Sequence, residues 1–222
     1  MGERVRQMTR KIKVDQPKMP RILEEAEFQA VYHEEDLYLS NCTISHCFVD
    51  GDVLDKAGFS QVVFKSVTFT EVSFQRIDLT DVVFENCDLS NADFMGANIH
   101  RVEFRDCKML GINLSESSLR NVLFDHCILN LSAFGFSSLR QVRFDDCSLK
   151  NADCYECKLT KVSFHQSDLN DVNFFNTPLK GIDLSQAQFE RLSVSLEDLA
   201  GCEVSKDQAI GFAVMIGLKI KE

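Results

Sequence analysis

The sequence predicts an all-β fold: a quadrilateral parallel β-helix of about eight coils, followed by a short C-terminal α-helix. Three observations carry this prediction. Bulky apolar residues recur at every fifth position from Leu39 to Leu199 without a slip of phase. A column of smaller residues runs two positions ahead of them, and like residues return every twentieth position.

The period of five is read from runs such as Phe59, Phe64, Phe69, Phe74, Leu79 and Phe84, with Cys154 the one small residue in the series. A helix repeats at 3.6 residues and a flat strand at 2, so neither produces this spacing. The smaller column includes Val82, Cys87, Ala92, Ala97, Val102 and Cys107, and the other three positions of each unit are mostly polar. Each unit therefore turns one large and one small side chain inward and presents polar ones to water. The period of twenty sets Phe64, Phe84, Phe104, Phe124, Phe144 and Phe164 in one series, and Leu79, Ile99, Leu119, Leu139, Leu159 and Leu179 in another. Four units then make one square coil, and coils stack like on like to fill an interior without voids.

Units such as Ala92-Asp93-Phe94-Met95-Gly96 and Ala152-Asp153-Cys154-Tyr155-Glu156 resemble the A-(D/N)-(L/F)-x-x signature of the pentapeptide-repeat family, over residues 37–199. The resemblance implies a right-handed quadrilateral β-helix, the hand also expected of parallel crossovers. About eight coils at roughly 4.8 Å each make a rod about 38 Å long.

The chain divides accordingly. Residues 1–21 hold seven Lys/Arg against two acids and are expected to be a flexible basic extension. Residues 22–36 are expected to cap the first coil, with Ile22, Leu23 and Phe28 as the covering side chains. Residues 37–203 form the β-helix. In residues 204–222, Ser205-Lys206-Asp207-Gln208 reads as a capping box. A short helix over Ala209–Ile216 follows, with Gly217 at its C′ position. Leu218-Lys219-Ile220-Lys221 then alternates like a strand. The helix is apolar on nearly all sides, more than one coil end can cover. A twofold dimer through Ile210, Phe212, Val214, Met215, Ile216 and Leu218 is therefore expected.

Composition narrows the function. The basic N-terminus lacks the apolar core and small-residue cleavage site of a secretion signal, and no apolar run reaches membrane-spanning length. A cytoplasmic protein is expected, without membrane association. The nine cysteines fall in repeat phase, with Cys87, Cys107, Cys127 and Cys147 in one interior column, so they read as reduced packing groups. The Cys154-x-x-Cys157 spacing is generated by the repeat itself, and no second pair completes a metal site. No phosphate loop or nucleophile elbow is present, so neither an enzyme nor a cofactor is expected. Asp106, His126 and Asp146, spaced by twenty, read as a solvated charge ladder, as do Lys65, Glu85, Arg105 and Asp125.

The net charge of −10 argues against direct nucleic-acid binding, which needs cations to displace counterions from phosphate. Within the family, the uninterrupted coil, apolar C-terminal helix and acidic surface are most similar to the Qnr/MfpA-type proteins. That similarity implies a homodimeric DNA mimic that binds DNA gyrase or topoisomerase IV and protects it from quinolones, conferring antibiotic resistance. Uniform mimicry fails on charge: residues 37–200 hold 23 acids and 14 bases, whereas a duplex of that length carries roughly 22 charges. The acids concentrate late, in Asp168, Asp171, Asp183, Glu190, Glu197, Asp198 and Glu203, against Lys180 and Arg191. These are the expected acidic partner-binding residues. Met95, Phe136, Tyr155 and Phe175 hold outward positions and make a second, apolar candidate surface, and Leu110 and Leu131 do the same on another face. The alternative is a non-catalytic structural or protein-interaction scaffold with no topoisomerase role.

Overall fold

A computed structural model describes residues 12–33, 36–215 and 217–221. In chain order the elements are β1 (Glu24–Glu25), a 3-10 turn (Phe28–His33), β2 (Tyr38–Ser45), β3 (Phe48–Asp50), β4 (Gly58–Lys65), β5 (Thr68–Thr70) and β6 (Asp78–Glu85). There follow β7 (Asn98–Arg105), β8 (Ser118–Asp125), β9 (Ser138–Asp145), β10 (Lys158–His165), β11 (Val172–Asn173), β12 (Leu192–Ser193) and the helix α1 (Lys206–Met215).

The long strands form one parallel eight-stranded sheet, ordered β1-β2-β4-β6-β7-β8-β9-β10. Its register is twenty residues, as in Val82↔Val102 and Phe84↔Phe104. The fourth residue of each eight-residue strand, such as Asp81, Arg101 or Asn121, is skipped by the ladder and has φ between 52° and 58°. There the strand turns a corner, so one long strand spans two sides of the square. The same left-handed backbone returns every five residues from Asn41 to Gly181, two after each large core residue. Asn, Asp and Gly tolerate it best. At Gly111 (φ 68°) a side chain would also strike Asn91, since a Cβ would lie 2.5 Å from its Oδ1. The four sides are numbered from the segment around Phe59 (side one) through those around Phe64, Phe69 and Phe74 (sides two to four).

The interior is columnar. Phe64, Phe84, Phe104, Phe124, Phe144 and Phe164 stack with centroids 4.8 to 5.1 Å apart and planes within 11°. Cys87, Cys107, Cys127 and Cys147 are buried and free, and each thiol donates to a backbone carbonyl 23 residues back, at 3.3 to 3.6 Å. Ser117, Ser137, Ser167 and Thr177 repeat that bond with their hydroxyls. The small column thus accepts either an apolar residue or a short donor, which in these four cases bonds that carbonyl; the buried Ser132 hydroxyl in the same column has no partner among the described residues.

The ends close differently. At the first coil, Phe28 is buried and meets Phe59, Phe64 and Phe69 at 6.1 to 6.5 Å, with Val31 buried beside it. Ile22, expected to help, is 83 % exposed, and Leu23 is half-buried; the 3-10 turn presents Phe28 and Val31 instead. At the last coil the capping box forms in both directions: Gln208 N–H to Ser205 Oγ (3.2 Å) and Ser205 N–H to Gln208 Oε1 (2.8 Å). Helix α1 therefore begins at Lys206 rather than Ala209. Gly217 (φ 83°) ends it, with Gly217 N–H to Val214 O and Leu218 N–H to Ala213 O. Residues 218–221 are exposed and join no strand among the described residues.

Residues 12–20 are not a loose extension. They run lengthwise down the corner between sides one and two. Gln141 donates to Lys13 O (3.4 Å), Asp15 N–H to Asn121 Oδ1 (3.3 Å), Lys18 N–H to Asp81 Oδ1 (2.8 Å) and Gln61 to Lys18 O (2.9 Å). Ile12, Val14, Pro17, Met19 and Pro20 are half-buried, while Lys13, Asp15, Gln16 and Lys18 are exposed. This apolar alternation holds the arm down. Residues 1–11 lie outside the described part.

Candidate partner-binding surfaces

The expected acidic residues fall into separate groups. Asp168 and Asp171 lie on side three and its far corner, with Glu190 one rung below Asn170 between them. Asp168 is paired with Lys150 (3.0 Å) and Asp171 with Arg191 (2.8 Å). Asp183 sits on side two, in bridge register with Glu203. Both flank the Cys202 thiol, which burial and then their charge push up to about 11. Glu197 and Asp198 belong to the closing turn on side one, where Asp198 and Ser195 bond each other. The last coils are thus acidic on several sides, and two of the carboxylates are already paired.

The apolar candidates come together in part. Phe136 (58 % exposed) and Tyr155 make an edge-on contact at 5.6 Å, and Phe175 (47 % exposed) lies one rung beyond Tyr155. Met95 is half-buried and stands apart, because Ser115 and Gly135 occupy the rungs between it and Tyr155. Leu131 and Phe136 hold φ of 61° and 62°, a backbone that bulky side chains avoid, yet both are exposed. The sequence pattern missed Phe48, 81 % exposed on the first coil, which its apolar type alone would have marked.

On α1 no residue is buried. Phe212 packs against Phe189 at 5.8 Å, and Gln208 donates to Leu184 O and Ala187 O, which seals the last coil. Ile210, Val214, Met215 and, beyond the helix, Leu218 stay exposed; Ile216 lies outside the described residues. A shallow hollow lined by Val194, Leu196, Leu199, Phe212 and Met215 adjoins them.

His126 does not bridge its column neighbours Asp106 and Asp146; its Nδ1 meets Asp125 at 3.0 Å. Nor does Arg105 join Glu85 or Asp125: it pairs with the buried Glu103. Among the described residues no group of His, Cys, Asp and Glu could hold a metal ion, and no helix is long and apolar enough to cross a membrane.

A family profile described as the pentapeptide repeat region matches residues 77–153 and 137–209. The Bacillus subtilis (strain 168) protein YisX, itself uncharacterized, is 40 % identical over 210 residues, covering 95 % of this chain and 99 % of YisX. This chain belongs to the pentapeptide-repeat family. Among solved structures, a trypsin-treated variant of QnrB1, a plasmid-mediated fluoroquinolone resistance protein, matches with a TM-score of 0.50 at 17 % identity. That match covers 80 % of this chain and 99 % of QnrB1. HetL, involved in heterocyst differentiation regulation in the cyanobacterium Nostoc sp. strain PCC 7120, matches at 0.36 and 17 %, over 75 % and 86 % of the two chains. The QnrB1 likeness, at this identity, concerns the fold.

In this pentapeptide-repeat protein the feature most easily missed along the sequence is how charge divides by side. Between residues 37 and 200, sides two to four and their corners carry 19 acids and 8 bases, a net of −11. Side one and its corner carry the other six bases. Sorting charges by position within the twenty-residue coil, rather than along the chain, would have revealed it.

Proposed function

We infer that this pentapeptide-repeat protein is a DNA mimic that binds a type II topoisomerase, DNA gyrase or topoisomerase IV, and protects it from quinolones as a cytoplasmic homodimer. The observation that carries this reading is the net of −11 on three contiguous sides of a straight rod. Over about 38 Å that is half the charge of duplex DNA. A saddle shaped for a duplex would meet an acidic ridge of suitable length, and attraction between opposite charges would steer the encounter. The uncovered apolar surface of α1 supports the dimer, which would double the length of the ridge.

The direct test is gyrase supercoiling with and without ciprofloxacin, titrated with purified protein. A charge-removal set then locates the surface. Asp168→Asn, Asp183→Asn, Glu190→Gln and Glu203→Gln together should weaken gyrase affinity markedly and flatten its salt dependence. A control set from the middle of the same ridge, Glu85→Gln, Asp106→Asn, Glu116→Gln and Asp146→Asn, should weaken it to a similar degree. Glu103 is unsuitable for that control because it is buried against Arg105. Loss from the first set alone would confine the contact to the last coils, and loss from neither would remove the acidic ridge as the binding surface.

The second reading is a protein-interaction scaffold without a topoisomerase role. It is favoured by the Phe136–Tyr155–Phe175 patch, where exposed aromatic side chains lie together and Phe136 fills a left-handed corner position that Asn or Gly would occupy with less strain. If the wild-type protein neither binds nor affects gyrase or topoisomerase IV, this reading takes its place.

A further inference from the structure

Side one inverts the charge of the rest of the molecule. Arg101, Arg120, Arg140, Lys158, Lys161 and Lys180 all project from this side and the corner beside the N-terminal arm. Before the closing turn, the acids there are Asp78 and Asp81. Both are engaged: Asp78 accepts from Asn98 (2.7 Å), and Asp81 binds Arg101 (2.6 Å) and the Lys18 N–H. Arg120, Arg140, Lys158, Lys161 and Lys180 are exposed and have no ion-pair partner among the described residues.

Folding does not account for this arrangement. Arg120 and Arg140 are register partners on β8 and β9, and His100 on β7 is the register partner of Arg120. Like charges on adjacent rungs, about 4.8 Å apart, destabilise a sheet. Burial, Arg101 and Arg120 already hold the His100 imidazole below its ordinary value, as expected beside concentrated positive charge. The arm adds to the stripe. Its Lys13 is tied to Gln141, next in sequence to Arg140, and both Lys13 and Lys18 are exposed. Asp15, between them, is the arm's one acid in this stretch.

The chemistry of the surface selects its ligand. From Asp78 to Lys161, the outward residues of side one and its corner are Asp, Asn, Gln, Ser, Thr, His, Arg and Lys, with no apolar side chain. A protein partner would need an apolar centre to its interface, and a membrane would need apolar residues to insert. Single-stranded nucleic acid would call for aromatic platforms on which bases stack, and this stretch has none. What remains is a straight row of cations with serine hydroxyls (Ser118, Ser138) alongside, suited to phosphates and blind to sequence.

We propose that side one binds the phosphate backbone of a nucleic-acid duplex, without sequence specificity, through Arg120, Arg140 and Lys161 together with Lys13 on the arm. The inference is independent of the topoisomerase reading. It needs no enzyme, and it places the duplex on the side of the rod away from the acidic ridge.

The test is fluorescence anisotropy of a labelled 20-base-pair DNA duplex with the full chain, from low to physiological salt. Micromolar binding at low salt is expected, with a log–log salt slope of about −4 for four or five phosphate contacts. Arg120→Ser with Arg140→Ser should lower affinity about tenfold and reduce the slope by about 2. The same pair should leave the melting temperature unchanged or raise it, since it relieves like-charge repulsion. Lys108→Ala with Lys150→Ala, which removes cations paired on side three, should leave binding unchanged. Failure of the wild-type chain to bind duplex overturns the proposal, as does equal loss in the two pairs. Preference for a poly-glutamate peptide, an anionic vesicle or single-stranded DNA over the duplex overturns it in favour of that ligand.

Discussion

The two ends of this rod are closed by different means. At the first coil an aromatic side chain enters the interior: Phe28 is buried and touches three phenylalanines of the coil below. At the last coil a helix lies across the opening, and not one of its residues is buried. The first end is finished by its own chain. The second satisfies its backbone through the capping box and Gln208 but leaves apolar surface in water. The contrast teaches that polar satisfaction and apolar burial are separate requirements of a solenoid end. Only where both are met is the closure complete within one subunit.

The largest effect should come from breaking the finished end. Phe28→Ala removes an aromatic from a packed site and should cost about 3–5 kcal/mol in urea unfolding. Phe212→Ala, at a half-buried ring with one aromatic neighbour, should cost about a third of that. Equal losses would mean that the helix end is packed as tightly as the other, which would erase the contrast.

Next in size is a pH effect of the buried thiol column. Contacts between neighbouring thiols, together with burial, raise the pKa of Cys87 and of Cys107, the latter to about 12. A thiol raised in the folded state contributes stability that is intact below its unfolded value and lost as pH rises toward the folded one. The unfolded value is about 8.5, so the unfolding free energy from urea titration should fall from about pH 8.5 upward, by about 1 kcal/mol per buried thiol over the first unit. Native protein at pH 8 should label mainly at half-buried Cys47 and Cys202, and denatured protein at all nine cysteines. Rapid labelling of the interior column in native protein would show that the coils open.

How much of this was legible in the sequence follows from where each interaction is encoded. The core columns are written locally: Phe84, Phe104 and Phe124 are each placed by their own five residues, so periodicity gives their stacking directly. The capping box and the glycine stop at Gly217 are likewise local, and both form as expected. The arm was not legible, because its partners Asp81, Asn121 and Gln141 are 63 to 128 residues distant. The only local trace is the alternation around Ile12 and Val14, too short beside so many cations to signal docking. The division of charge by side was not legible along the chain for another reason. A net of −10 averages over the perimeter, whereas Arg120 and Arg140 stand together on one side of it. Nor does spacing by twenty reveal which neighbour a side chain chooses, as His126 and Arg105 show by pairing within their own strand segments.

A smaller effect tests the polar half of the second closure. Ser205→Ala removes the acceptor for the Gln208 N–H and should cost about 1 kcal/mol. It should also raise amide hydrogen exchange in α1 while leaving the β7–β9 coils protected. Exchange rising throughout the rod would mean that the helix governs the whole solenoid rather than its last coil.

The smallest change in folding free energy should accompany the largest change in assembly. Met215 is 54 % exposed, so in an isolated subunit Met215→Glu places a charge in water and should alter the unfolding midpoint hardly at all. In a twofold dimer the same carboxylate would be buried among Ile210, Val214 and Leu218 of two subunits. An unpaired charge there would cost several kcal/mol, enough to abolish association. Sedimentation of the wild-type chain at micromolar concentration should give a dimer mass, and the variant a monomer with an unchanged β circular-dichroism spectrum. An unfolding midpoint that rises with protein concentration in the wild type, and not in the variant, would tie the same surface to stability. If both proteins sediment alike, as monomers or as dimers, α1 is not the seam. The second end would then be closed as far as the molecule requires, and its apolar surface would await a different partner.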